Sequence, residues 1–138
     1  MAQIQVRDTL DTNLIVHYII GDIPAQRTAV GELLANPDAI HRIKDLTITE
    51  AVYVFETHYG QTRTEITNNL QAFLAKFDDV LDYNEALFLL VFPFYKRHSS
   101  LSFNDCVMAF YAQIDGAEPL LTFDKTLAKQ HPSTKLLK

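Results

Sequence analysis

The feature that most constrains this chain is an alternation of short apolar runs with longer segments of helical periodicity. Ile4-Gln5-Val6-Arg7 alternates and Leu10 is apolar again, which predicts a short strand running into Asp11. Leu14 to Ile20 (LIVHYII) is too densely apolar for a solvent-facing strand. It predicts a buried helix starting just after Asp11-Thr12-Asn13, residues suited to N-capping. Asp22 is expected to cap a second helix with Pro24 in its first turn, Ala29, Leu33 and Leu34 on one face, and Asn36-Pro37-Asp38 at its end. Leu46 to Ile48 ends a short strand or begins the next helix. That helix, Glu50 to Tyr59, carries Val54, Phe55 and His58 at helical spacing and stops at Gly60.

Thr62 or Thr64 starts a further helix with the stripe Ile66, Leu70, Phe73 and Leu74. A strand at Val80-Leu81 precedes a helix from Asn84 that Pro93 kinks or terminates. Phe103 to Ile114 is the next helix, closed by Gly116. Pro119-Leu120-Leu121-Thr122 reads as a buried strand before Asp124 and a short basic helix, KTLAKQ. Strands this short and continuous, alternating with helices, predict an α/β protein. The expected architecture is three-layer α/β/α, with a short parallel sheet covered on both faces.

At 138 residues, with no internal repeat or linker, the chain is expected to form a single domain over 1–138. Hydrophobic residues at 48% and charged residues at 21% exclude a disordered chain. The most apolar run, Ala86 to Tyr95, falls far short of the ~20 residues that cross a bilayer, and Pro93 interrupts it. The N-terminus shows no signal-peptide pattern, so a cytoplasmic protein is expected. Cys106 is the only cysteine, which excludes an internal disulfide and a multi-cysteine metal site. Within CVMAFYA it reads as a buried small hydrophobe rather than a catalytic thiol. The five His residues lack metal-binding spacing, and no Gly-rich phosphate loop or G-x-S-x-G elbow is present. A net charge of −5 disfavours broad attraction to nucleic acid unless bound cations neutralise part of it.

Chemistry is expected where the strands end, because ligands of open parallel sheets bind beyond the carboxyl ends of the strands. Asp11 follows the first strand and Asp124 the last. Glu50 is expected at a helix start, and Asp105 in the first turn of its helix after the loop His98-Ser99-Ser100. Right-handed crossovers would bring these helix starts to one edge. Convergent carboxylates repel, and a hard divalent cation such as Mg²⁺ or Mn²⁺ resolves that repulsion. Such a site polarises a phosphate and activates water for phosphodiester hydrolysis. Helix capping and the macrodipole also favour acids at helix starts, and that reading stays open on spacing alone.

Four ordered blocks go further. They are Asp11-Thr12-Asn13-Leu14-Ile15-Val16-His17-Tyr18 with Gly21-Asp22-Ile23-Pro24-Ala25-Gln26, Ile48-Thr49-Glu50-Ala51-Val52-Tyr53-Val54-Phe55-Glu56 with Tyr59-Gly60, Leu101-Ser102-Phe103-Asn104-Asp105, and Leu120-Leu121-Thr122-Phe123-Asp124-Lys125. Across nearly the whole chain these resemble the PIN-domain family, specifically the VapC-type toxin ribonucleases of type II toxin–antitoxin pairs. The resemblance implies a Mg²⁺- or Mn²⁺-dependent endoribonuclease that hydrolyses RNA with metal-activated water. It implies a metal cluster of Asp11, Glu50, Asp105 and Asp124, with Asp11 and Asp105 the most direct ligands and the other two closing the site partly through water. Thr12, Asn13 and Thr122 match positions that support the cluster by hydrogen bonding. A cognate antitoxin entering the acidic groove and a homodimer are further implications. The chain departs from the family pattern in its polar first strand, Arg7-Asp8-Thr9, and in Pro93.

Lys96-Arg97-His98, Lys125 and Lys129 flank two of the acidic blocks and suit either phosphate contacts or solvated helix ends. The aromatic stretch Phe88 to Tyr95 reads as core, with part of it available to a dimer or partner surface. Two alternatives compete with the nuclease: a catalytically silent PIN-like binding module and a phospho-acceptor signalling domain. The second needs an acceptor Asp at a middle strand end, where Glu50 stands instead at a helix start. A haloacid-dehalogenase-type phosphatase is disfavoured because position 13 is Asn where that chemistry uses Asp.

Overall fold

Strand β1 (Val6–Thr9) is the first element in the computed structural model, of which residues 5–116 and 119–138 are described. Ile4, expected in the same strand, lies outside the described residues. Helix α1 (Thr12–Ile20) follows, ended by Gly21 in the left-handed region at φ 70°. Helix α2 (Pro24–Ala35) begins with Pro24 and stops at Asn36, as expected. Its N-cap is Ile23, not Asp22, whose carboxylate instead meets the His17 ring at 3.2 Å. The face it buries is Val30 and Leu34, whereas Ala29 and Leu33 are exposed.

Strand β2 (Ile40–Arg42) has no counterpart in the sequence reading. Ile40-His41-Arg42 carries one apolar residue and no alternation, so nothing local announces a strand. Tertiary pairing makes it one: β2 lies between β1 and β3 (Leu81–Asp82), parallel to both, in a three-stranded sheet ordered β1-β2-β3. Its buried His41 meets the Asp8 carboxylate of β1 at 2.6 Å, so a polar ring in the middle of the sheet has a partner. A bulge between Val6 and Asp8 sets that register. The ladder continues beyond the strands, with Leu10 N–H bonding Arg42 O and Ile43 N–H bonding Asp82 O.

Helix α3 (Asp45–Thr57) buries Ile48, Ala51, Val52 and Phe55 at helical spacing. Helix α4 (Arg63–Lys76) buries the expected stripe and starts on a capping box. The Glu65 N–H bonds the Thr62 hydroxyl at 3.1 Å, and Thr62 N–H bonds the Glu65 carboxylate at 3.2 Å. Helix α1 packs on α2, α3 and α4. A single 3₁₀ turn, Asp78–Val80, moves the third strand one residue later than expected.

The chain forms two compact units that divide between Asn84 and Glu85. The second contains helix α5 (Glu85–Arg97), helix α6 (Phe103–Asp115), strand β4 (Leu120–Thr122), helix α7 (Lys125–Gln130) and strand β5 (Thr134–Leu136). Helix α5 passes through Pro93 instead of ending there. Pro93 sits on the exposed side, where water can serve the carbonyl that its missing N–H leaves unbonded. The ring centroids of Phe88, Phe92 and Phe103 lie within 6.3 Å of one another, with Phe88 and Phe103 stacked, and Tyr95 meets Phe103 edge-on at 5.1 Å. The aromatic run is therefore largely core, with Leu89 and Leu90 exposed. Cys106 is fully buried, as expected of a small hydrophobe.

Strand β4 is not the buried strand expected, because Leu121 is more than half exposed. It pairs in parallel with β5, an element the sequence reading did not contain, so Asp124 does not follow the last strand. The architecture is α/β with short parallel strands, as the alternation predicted. Among the described residues, no helix is long and apolar enough to cross a membrane.

Candidate metal centre

Asp11 and Glu50 lie in the first unit, and Asp105 and Asp124 in the second. Asp11 stands just past the carboxyl end of β1 as the N-cap residue of α1, with φ −81° and ψ 156°. Its backbone makes the helix entry, yet its carboxylate makes no capping hydrogen bond. Capping therefore does not account for this acid.

Glu50 departs from its expected place. Helix α3 starts at Asp45 with Lys44 as N-cap, so Glu50 lies in the second turn rather than at the helix start. The β-branched Thr47, Ile48 and Thr49 mimic a strand locally, but burial of Ile48 with Ala51, Val52 and Phe55 selects the helix. Away from the helix end, neither an N-cap nor the macrodipole calls for a carboxylate. Glu50 has a specific partner instead: the buried Thr12 hydroxyl donates to its Oε2 at 2.8 Å. That bond ties the residue after Asp11 to the residue expected to complete the site.

In the second unit, Asp105 is half-buried in the first turn of α6, as expected, and its N–H bonds the Ser102 hydroxyl at 3.1 Å. Asp124 is the N-cap of α7, and its Oδ1 accepts the Leu127 N–H at 3.0 Å. Thr122 accepts the Asp124 N–H at 2.9 Å, so it shapes the turn into the helix. The capping explanation applies fully to Asp124. Asn13 is exposed on α1 and lines a cavity of about 300 Å³ with Leu14, His17, Gln26, Ala29 and Val30.

Among the described residues, no three His, Cys, Asp or Glu side chains are grouped so as to hold a metal ion. The acids offer oxygen donors only, the set that suits a hard divalent cation. Lys96 and Arg97 fall in the last turn of α5 and Lys129 in that of α7, positions the helix dipole favours; Lys125 instead opens α7.

The sequence reading missed a second group of residues. Arg42 at the end of β2 and Ile43, Lys44 and Asp45 beyond it, with Asp82, Tyr83 and Asn84 at the end of β3, line a cleft of about 310 Å³. The rule that ligands bind at strand carboxyl ends would have found it, had β2 itself been legible.

A family model described as PIN domain matches residues 9–131. The chain belongs to the PIN domain family. PIN domains are generally metal-dependent nucleases, and the matched span contains all four acids. It also runs across the division between Asn84 and Glu85. Comparison of this PIN-domain chain with curated proteins and with solved structures found no match.

Proposed function

We propose that the chain is an endoribonuclease, the toxin component of a VapC-type toxin–antitoxin pair, in which Asp11, Glu50, Asp105 and Asp124 hold Mg²⁺ or Mn²⁺. The observation that carries this reading is the Thr12–Glu50 bond. It ties a mid-helix carboxylate, needed by no cap, to the residue that follows an N-cap aspartate whose own carboxylate makes no cap bond. Membership of the PIN family supports the nuclease chemistry.

In this reading the two units act as one PIN-like domain over 1–138, which the continuous family match supports. Asp11 and Asp105 are the direct ligands, and Glu50 and Asp124 close the site. Thr12 orients the Glu50 carboxylate, Thr122 sets the turn that presents Asp124, and Asn13 supports Asp11 from the next position of α1. A bound cation supplies neutralisation of the carboxylates, polarisation of the phosphate and activation of the attacking water. The protein works in the cytoplasm as a homodimer, and a cognate antitoxin bearing Arg or Lys silences it through the acidic site.

The test is RNA cleavage with Mg²⁺ or Mn²⁺ by the wild type and by Asp11→Asn and Asp105→Asn. Each substitution keeps size and removes charge, and each is expected to abolish cleavage while the circular dichroism spectrum stays unchanged. Full cleavage by a folded Asp11→Asn variant refutes the site.

A further inference from the structure

The cleft beyond β2 and β3 has none of the four acids in its lining and has its own chemistry. Arg42 and Asp82 are opposed in the parallel ladder, and Arg42 Nε donates to Asp82 Oδ2 at 3.0 Å. That bond uses one of the five N–H donors a guanidinium carries. Lys44 is exposed at the N-cap of α3, where no side chain caps the helix. Asn84 Nδ2 donates to Asp45 Oδ2 at 3.3 Å, and the half-buried Tyr83 lies between Asp82 and Asn84.

The lining thus holds two cations, two carboxylates, a phenol ring and an amide. A free inorganic phosphate suits it poorly, because it is repelled by the carboxylates of Asp45 and Asp82 and brings no neutral polar groups or ring to set against that repulsion. A ribonucleotide suits both kinds of wall. Its phosphate meets Lys44 and Arg42, its hydroxyl and amino donors meet the carboxylates, and its base has the Tyr83 ring to stack on. The volume of about 310 Å³ stands at the lower end of the ~300–1,000 Å³ typical of small-ligand sites.

The cleft also has the right address. Parallel strands lie about 4.8 Å apart, so the ends of β2 and β3 fall roughly 5–10 Å along the sheet edge from the end of β1, where Asp11 stands. We propose that this cleft is a second RNA-binding subsite, holding a nucleotide that neighbours the cleaved phosphate on the same strand. Lys44 is its phosphate contact and Tyr83 its stacking platform. The proposal rests on the ribonuclease reading above and adds the residues that position the strand.

The experiment measures binding of a fluorescein-labelled single-stranded oligoribonucleotide to the full chain in EDTA, across a series of salt concentrations. Cleavage of the same RNA is followed separately in Mg²⁺. Lys44→Ala is expected to weaken binding several-fold and to lower the slope of log K against log salt by about one. Tyr83→Ala is expected to weaken binding about 5-fold or more with the slope unchanged. In cleavage, Lys44→Ala raises KM and leaves kcat near wild type, the mark of a contact made equally before and during reaction. Inorganic phosphate at matched ionic strength should not displace the RNA. Lys44→Glu, at an exposed position, serves as a second variant with a larger expected loss. If the wild type binds and cleaves RNA, and both Lys44 variants bind it with wild-type affinity and slope, the cleft assignment is overturned and the nuclease reading stands. If the wild type neither binds nor cleaves RNA, both are overturned.

Discussion

Thr12 is the residue through which the candidate site can be probed without removing an acid. It is buried, and its hydroxyl bonds Glu50. Thr12→Val keeps the shape and deletes the donor, so the fold should survive with a loss of about 1 kcal/mol in thermal unfolding. RNA cleavage should fall about 10- to 100-fold, the usual effect of losing a group that orients a metal-site carboxylate. Wild-type cleavage would leave Thr12 a purely structural partner. His131 offers a different test. Burial, and secondarily the nearby His98, lower its pKa below the ordinary 6.5. Its Nδ1 accepts the Ser133 N–H at 3.0 Å, so a second ring proton would replace that bond with a repulsion. The unfolded chain therefore binds this proton more readily than the folded one. Its stabilising effect is complete above the unfolded pKa and is lost as pH falls below about 6.5 towards the lowered folded value. The melting temperature should drop over that interval, and His131→Gln should flatten the drop.

Elements differ in how openly the sequence declares them. Helix α4 is declared in full, by the Thr62-x-x-Glu65 box and a stripe that is buried as expected. Thr62→Ala should cost about 1 kcal/mol in chemical denaturation, with an unchanged m-value. Helix α6 is equally legible from Phe103 to the Gly116 cap, and with it the place of Asp105. Strand β2 was illegible because Ile40-His41-Arg42 becomes a strand only through two neighbours distant in sequence. The start of α3 was misplaced for a related reason. Thr47, Ile48 and Thr49 favour a strand locally, and packing of one helix face outweighs them. Both misreadings bear on function, since one hid the cleft and the other made Glu50 resemble an ordinary helix-start acid. Asp11 and Asp105 needed only element starts that the sequence marks well. The partners of Thr12 and Thr122 needed side-chain geometry that no pattern carries.

At the scale of the whole molecule, charge and family meet. A chain of net charge −5 attracts RNA poorly, and in the proposed nuclease a bound divalent cation would reverse the sign at the site of the phosphate. Cation binding should therefore be visible without any substrate. Saturating Mg²⁺ or Mn²⁺ is expected to raise the unfolding free energy of the wild type, by about 2.7 kcal/mol at a hundredfold excess over Kd. The same cation should leave the Asp11→Asn variant nearly unmoved, and equal stabilisation of both proteins would place the ion elsewhere. The parallel topology also orders events in time. The middle strand β2 is joined to β1 by partners 33 residues away and to β3 by partners 40 residues away, as in Asp8–His41 and Arg42–Asp82. Its three residues have little tendency to extend alone. Helices such as α4 can begin from local signals, whereas the sheet must wait for two long loops to close around its least committed segment. The edge that carries Lys44 and the approach to Asp11 therefore rests on pairings 33 and 40 residues apart rather than on a local signal.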